Sequence, residues 1–120
     1  MSMSLSEYAA IEAAVSKLGA ANVACNFDLC RSLFHENAAI IGRIEEKATF
    51  GRVNDLESAI SSQGPLPRFR NRMDILAFDD GIAVVRVLEE EVVGKKYANY
   101  LTLIKSEETW ECVSMVYAPN

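Results

Sequence analysis

"NYLTLIKSEETWECVSMVY", residues 99–117, reads as two strands joined by a polar turn at Ser106 to Glu108. Strict alternation puts Leu101, Leu103, Trp110, Cys112 and Val116 on one face. Tyr100, Thr102, Ile104, Val113, Met115 and Tyr117 share the other. Both faces are apolar, whereas a sheet with one solvated face alternates apolar and polar residues. The hairpin before it, 69–79 and 82–92 around Asp80-Gly81, has the same character. There Leu76, Phe78, Ala83, Val85 and Val87 share one face, and Met73, Ile75, Ala77, Ile82, Val84 and Leu88 the other. The pattern predicts a sheet covered on both sides.

Upstream, the period changes from two to 3.6. Ser4 and Glu7 fit a capping box, and Tyr8, Ile11, Val15, Leu18 and Cys25 recur at helical spacing. A first helix over about 5–24 runs through Gly19, at ~1 kcal/mol against alanine; a break at Gly19 with a restart at Asn22 is the alternative. Asn26 reads as the N-cap of a short second helix, about 27–34, burying Phe27, Cys30, Leu33 and Phe34. Ala38 to Ile44 and Ala48 to Arg52 form a hairpin, and Asn54 with Glu57 opens a third helix, about 55–62. After the loop Gln63 to Pro67 come four strands, 69–79, 82–92, 95–105 and 109–117. The order ααββαββββ predicts an α+β fold, three helices packed on a curved, mainly antiparallel sheet, as a single domain over 1–120.

Half of the 120 residues are hydrophobic, enough for one sizeable core, and the net charge is −5. An acidic chain without a basic stripe argues against nucleic acid and against anionic lipid surfaces. No apolar run approaches the ~20 residues that span a bilayer. The N-terminal MSMSLSEYAAIEAA lacks the basic start and apolar stretch of a signal peptide. Cys25, Cys30 and Cys112 fall at apolar-pattern positions without metal-type spacing, so buried free thiols and a reducing cytoplasm are expected. With one histidine and three scattered cysteines, no metal is expected, and no cofactor motif is present.

Three stretches carry a family resemblance. "SLFHENA" (32–38), "FGRVNDLESAI" (50–60) and above all "YLTLIKSEETWECVSMVY" (100–117) resemble the nuclear transport factor 2-like superfamily. The last is similar to the terminal hairpin of its lumazine-binding-like branch, next to the polyketide-cyclase-like branch. The resemblance implies a cone with a pocket between curved sheet and helices, and commonly a dimer packed sheet to sheet. In the ketosteroid-isomerase-like branch a carboxylate base follows the helix-to-strand exit; the corresponding positions here are Ile41 and Gly42, so that base is missing.

Each candidate site residue has a packing explanation beside the functional one. His35, the single histidine, could be a general base, but at the end of a short helix it favours the dipole and caps free carbonyls. Arg68, Arg70 and Arg72 alternate. If the hairpin closes on Asp80-Gly81, Arg72 faces Glu89 and Arg70 faces Glu91, each pair worth ~0.2–1 kcal/mol. Tyr97 and Asn99 share a face with Leu101, on the strand that the resemblance places in the pocket wall. Tyr8 could reach the cone mouth. The candidate ligand-binding set is therefore Tyr97, Asn99, Glu89, Arg72 and Tyr8, with Arg72 tuning Glu89 and no catalytic residue assigned.

Two functions follow. One is a pocket protein for a small apolar ligand: a binder, or a cofactor-independent enzyme of the lyase, isomerase or cyclase type. The alternative is a non-catalytic dimeric interaction module whose cone is filled by Phe27, Phe34 and Leu101. In both, three short helices cover one sheet face and a second copy of the chain covers the open one. Tyr100, Thr102, Met115 and Tyr117 are the expected interface, because aromatics and Met are enriched there.

Overall fold

Helix α1 spans Leu5–Ala24, and Ser4 caps it by accepting the Glu7 N–H at 3.1 Å. Only this half of the expected capping box forms, because the Glu7 carboxylate turns instead to Lys105 Nζ at 3.3 Å. A computed structural model describes residues 3–120. Met1 and Ser2, part of the stretch compared with a signal peptide, lie outside the described residues. The helix continues through Gly19, where a Cβ would sit 2.8 Å from Asn71 Nδ2. Its buried stripe is Ile11, Ala14, Val15, Leu18 and Ala21. Cys25 ends it in the left-handed region at φ 54°.

The expected second helix does not form. Phe27–Leu29 and Arg31–Leu33 are separate 3-10 turns, interrupted at Cys30. Asn26 Oδ1 does accept the Asp28 N–H at 3.1 Å, but that cap starts a single turn. The apolar residues are buried nonetheless: Phe27 stacks on Phe34 at 6.2 Å, and Cys30 and Leu33 are inaccessible. The described residues thus hold two α-helices and two 3-10 turns rather than three helices.

Strands β1 (Phe34–Ile44) and β2 (Lys47–Gly51) lead to α2 (Val53–Gln63). Then come β3 (Arg70–Asp79), β4 (Ile82–Val92), β5 (Lys95–Ser106) and β6 (Thr109–Pro119). Helix α2 starts earlier than the Asn54–Glu57 pair suggests. Arg52 is its N-cap, with Asp55 Oδ2 accepting the Arg52 N–H at 2.7 Å. The six strands form one mixed sheet in the order β2-β1-β6-β5-β4-β3. β1 and β6 run parallel, and every other neighbouring pair is antiparallel. The helices pack on one face, around Val85, Leu101, Leu103 and Cys112, to give a cone.

Bulges decide which side chains reach that core, because one extra residue moves everything beyond it to the opposite face. In β6, Val113 lies unpaired between Cys112, opposite Leu103, and Ser114, opposite Thr102. Trp110 and Cys112 point inward, and so do Met115, only 4 % exposed, and Tyr117. Met115 and Tyr117 are therefore not on the open face, contrary to the alternation count. In β3 a bulge between Ile75 and Ala77 brings Met73 and Ile75 into the core opposite Val87 and Val85.

The same bulge shifts the arginines. The expected register holds from Asp79 opposite Ile82 only as far as Ala77 opposite Val84. Beyond it Arg72 lies opposite Leu88 rather than Glu89, and Arg70 opposite Glu90 rather than Glu91. Arg70 pairs with Glu90 at 2.8 Å, and Arg72 with Asp74 at 3.1 Å on the open face. Burial raises the Asp74 pKa, but the Arg72 and Arg86 guanidiniums outweigh it and hold the carboxyl below its ordinary range. What remains on the open face is Ile82, Tyr100, Ile104 and Val116, between 39 and 47 % exposed.

Candidate functional site

The cone is filled at one end and hollow at the other. Phe27 and Phe34 close the filled end. At the other, a cavity of about 350 Å³ opens between the sheet and the helices. Leu18 of α1, Ile60 of α2, Ile40 of β1 and Met115 of β6 form its apolar wall, and Ile44, Phe50 and Val92 its rim. Asn22 joins the helices across it. Its Oδ1 accepts from Gln63 Nε2 at 2.6 Å, and its Nδ2 donates to the Leu18 carbonyl at 3.0 Å. Both Asn22 groups are thereby satisfied.

The sheet side of the cavity carries a polar quartet from three neighbouring strands: Glu89 of β4, Tyr97 and Asn99 of β5, and Tyr117 of β6. Pairing explains the convergence. Glu89 lies opposite Tyr97 and Asn99 opposite Tyr117, so all four point to the helix side. Tyr97 and Tyr117 meet edge to face at 6.3 Å. A bulge follows Glu89, with Glu91 at φ 61°, and ends the regular β4–β5 pairing beside the quartet.

Two members are buried polar groups. Glu89 is 8 % exposed and Asn99 2 %. Burial pushes the Glu89 carboxyl above the ordinary glutamate value of 4.5, and the adjacent Asn99 amide opposes the shift. Asn99 Nδ2 does not reach hydrogen-bonding geometry with any acceptor among the described residues. A buried donor left unmade costs ~1–3 kcal/mol. Among the described residues Glu89 is also the only buried carboxylate.

Residues 6–118 match the family model described as "Putative lumazine-binding". The chain belongs to that family. Its fold is that of the nuclear transport factor 2-like superfamily, as solved structures show. A nuclear transport factor 2-like protein of unknown function from Shewanella baltica OS155 is 25 % identical, with a TM-score of 0.87 over 100 % of this chain and 98 % of that one. Another, from Methylobacillus flagellatus KT, is 22 % identical, with a TM-score of 0.90 over 98 % of this chain and 95 % of that one. A ketosteroid isomerase-like protein from Erwinia carotovora atroseptica SCRI1043 is 18 % identical, with a TM-score of 0.70 over 97 % of this chain and 98 % of that one. These likenesses establish the fold. No functionally curated protein matches the sequence.

Within this member of the lumazine-binding-like family, Glu89, Tyr97 and Asn99 of the five candidates share the cavity, and Arg72 and Tyr8 do not line it. Arg72 is on the opposite face and cannot tune Glu89. Tyr8 lies on α1 ten residues before Leu18, about 15 Å away along the axis at 1.5 Å per residue, and is 39 % exposed. His35 lies in β1, not at a helix end, and its Nδ1 accepts the Asn37 N–H at 3.0 Å rather than capping carbonyls. Of the two positions compared with the isomerase branch's base, Ile41 and Gly42, Gly42 lies beneath the Tyr117 ring, where a Cβ would be 2.6 Å from Cζ.

Tyr117, Asn22 and Gln63 are cavity residues that the sequence reading missed. Asn22 had a visible signal, a polar residue inside an apolar helical stripe. Tyr117 had none, because the Val113 bulge reverses its face. Among the described residues no group of three or more His, Cys, Asp or Glu is placed to hold a metal ion. No described helix is long and apolar enough to cross a membrane.

Proposed function

We propose that the protein binds a small, uncharged, largely apolar molecule in the cone cavity, with Glu89 and Asn99 as its polar contacts. The observation that carries this reading is the unpartnered Asn99 Nδ2 beside the buried Glu89 carboxyl at a cavity of about 350 Å³. That volume is within the ~300–1,000 Å³ of small-molecule sites. The family's description as lumazine-binding and the isomerase-like relative support the small-molecule class. If the bound molecule is turned over, Glu89 is the group to carry a proton without a cofactor, since burial moves its titration toward neutrality. Thermal-shift screening of the purified protein against metabolites tests the reading. A ligand that stabilises the wild type by mass action should lose most of its effect on Asn99→Leu. A ligand with an undiminished effect on that variant binds elsewhere.

The open sheet face supports a second proposal, a homodimer. Ile82, Tyr100, Ile104 and Val116 are exposed apolar side chains on β4, β5 and β6 of this face, the kind of surface that homo-oligomers bury by twofold pairing. Met115 and Tyr117 face the cavity and have no part in it. Light scattering at micromolar concentration should give twice the 13.3 kDa protomer mass, and Ile104→Glu should give the protomer. The same face would serve a non-catalytic interaction module, which predicts a dimer that no metabolite stabilises.

A further inference from the structure

The groove between α1 and the outer edge of β3 belongs neither to the cavity nor to the open sheet face. We infer that it docks an extended peptide, which adds to β3 as a seventh, antiparallel strand with its acidic C-terminal end toward Arg68 and Arg70. β3 is the last strand of the sheet, so β4 pairs with one side of it only. Over residues 70–75 that pairing is regular, and the bulge before Ala77 ends the usable edge. Among the described residues no backbone hydrogen bond from outside the sheet reaches residues 70–75. The outward N–H and C=O groups of such an edge are a template for another strand. Beside the edge lies a groove of about 640 Å³. On the α1 side Gly19 and Ala20 present nothing larger than a methyl group, and Val15, Met73 and Val87 form the floor. Val15 is 3 % and Val87 2 % exposed, so a side chain entering here lands on the core. A strand laid on β3 points alternate side chains into this groove. Main-chain bonds and side-chain pockets together are what β-augmentation uses.

Charge sets the direction. α1 starts at the Lys105 end of the sheet, where Glu7 pairs, and reaches the cavity end at Asn22. β3 runs the opposite way, with Arg70 opposite Glu90 and Asp79 opposite Ile82. Glu12 therefore stands at one end of the groove and Arg70 at the other. From Glu12 to Val23 is about 16 Å at 1.5 Å per residue, room for about five strand residues at ~3.3 Å each. A strand antiparallel to β3 runs from Glu12 toward Arg70, so its amino end meets a carboxylate and its carboxyl end meets guanidiniums. At that end Arg68, Arg70 and Lys96 outnumber Glu90 and Glu91. Glu90 holds Arg70 at 2.8 Å and Lys96 at 3.3 Å. Arg68 enters no ion pair among the described residues. A parallel strand would set both of its ends against like charges. The occupant is thus a short extended segment with a basic start, apolar residues at alternate positions and an acidic end.

The hexapeptide KTVTVD, with both termini free, tests this by titration into the protein followed by backbone amide NMR. Its reversed sequence DVTVTK and a KTVTVD analogue N-methylated at alternate residues are titrated beside it. KTVTVD should give saturable shifts in residues 70–75 and 16–23, with a Kd below about 1 mM. The N-methylated analogue and the reversed peptide should bind at least tenfold more weakly. Ala20→Leu, an exposed change that fills the groove, should weaken KTVTVD tenfold, and Arg68→Glu about threefold. No saturable shift with KTVTVD, or equal binding of the N-methylated analogue, would overturn strand addition. Equal binding of the reversed peptide would overturn the direction, and the inference with it. Shifts at Glu89 and Asn99 in place of β3 would move the peptide to the cavity and refute the groove. Broadening of residues 70–75 that grows with protein concentration before peptide is added would put a second copy on the edge and rule out the peptide as its occupant. The wild-type series decides the matter even if a variant fails to fold.

Discussion

Replacing Gly42 by alanine tests how the sheet and the cavity are coupled. The Gly42→Ala methyl would lie 2.6 Å from Tyr117 Cζ and 2.7 Å from its Oη. Ordinary contact begins near 3.4 Å, so the far end of the ring must move by roughly 1 Å, and the empty space beside it is the cavity. Two effects oppose each other. The displaced ring loses its edge-to-face contact with Tyr97, ~0.5–1.5 kcal/mol. Alanine in place of glycine at a compatible backbone stabilises by ~0.4–1 kcal/mol through the unfolded chain. The two terms nearly cancel, leaving a net change between a gain of ~0.5 and a loss of ~1 kcal/mol, read from the denaturant midpoint at an unchanged slope. Ligand affinity should fall more clearly, because Tyr117 now occupies binding volume. A double-mutant cycle isolates the contact. In the Tyr117→Leu background the obstruction is gone, and Gly42→Ala should stabilise by ~0.4–1 kcal/mol. An identical effect of Gly42→Ala in both backgrounds would refute the argument that the glycine is there for the ring.

Burial raises the Glu89 pKa above 4.5, so the native state holds this proton more tightly than the unfolded chain. Its stabilising contribution is complete below pH 4.5 and is lost as pH rises through the folded value. Asn99 and Tyr97 of β5 and Asn71 of β3 face it uncharged, and Asp55 of α2 is the charged group across the cavity. Glu89→Gln should therefore gain melting temperature over the wild type between pH 4.5 and neutrality and show no growing advantage below; a constant difference across pH 4–8 would contradict this. Burial pushes the Cys30 and Cys112 thiols up to about 12, so neither should react with a thiol reagent at pH 8 until the protein unfolds, and fast labelling of either would place it at the surface.

Much of the fold was legible because local signals agreed. The Ser4 cap and the α1 stripe gave that helix its observed bounds, Leu5–Ala24. The hairpin turns were marked too, with Gly81 at φ 76° and Gly94 at φ 76°, where glycine has no Cβ to strain. What failed did so where one residue changes the count. Alternation read Tyr97, Asn99 and Leu101 correctly onto one face because β5 is regular between them. It misplaced Met115 and Tyr117 beyond Val113, and Arg72 beyond the β3 bulge. A bulge has no reliable signature in one sequence, because it is a property of the pair of strands. The two apolar faces of the terminal hairpin were in part this effect: Cys112 and Met115 have opposite parity and both enter the core. The 3-10 turns at Phe27–Leu29 and Arg31–Leu33 escaped for a different reason. Burial of Phe27, Leu33 and Phe34 is compatible with a helix or with tight turns, so the apolar pattern alone does not choose between them.

The position of β6 between β1 and β5 has a consequence for biosynthesis. Until residues 109–119 exist, β2-β1 and β5-β4-β3 are two separate pieces, each with an open edge that only β6 can cover. As the ribosome adds residues, the helices and the β3–β4–β5 meander can form early from neighbours in sequence, but the parallel pairing of Phe34–Ile44 with the distant Thr109–Pro119 must wait. Long-range parallel pairing is slow because loop closure precedes its reward. The nascent chain therefore passes through a stage with two more bare strand edges than the finished sheet, those of β1 and β5, when strand pairing between neighbouring copies competes with folding. Shielding by a chaperone should matter most for this chain between the synthesis of β5 and the arrival of β6.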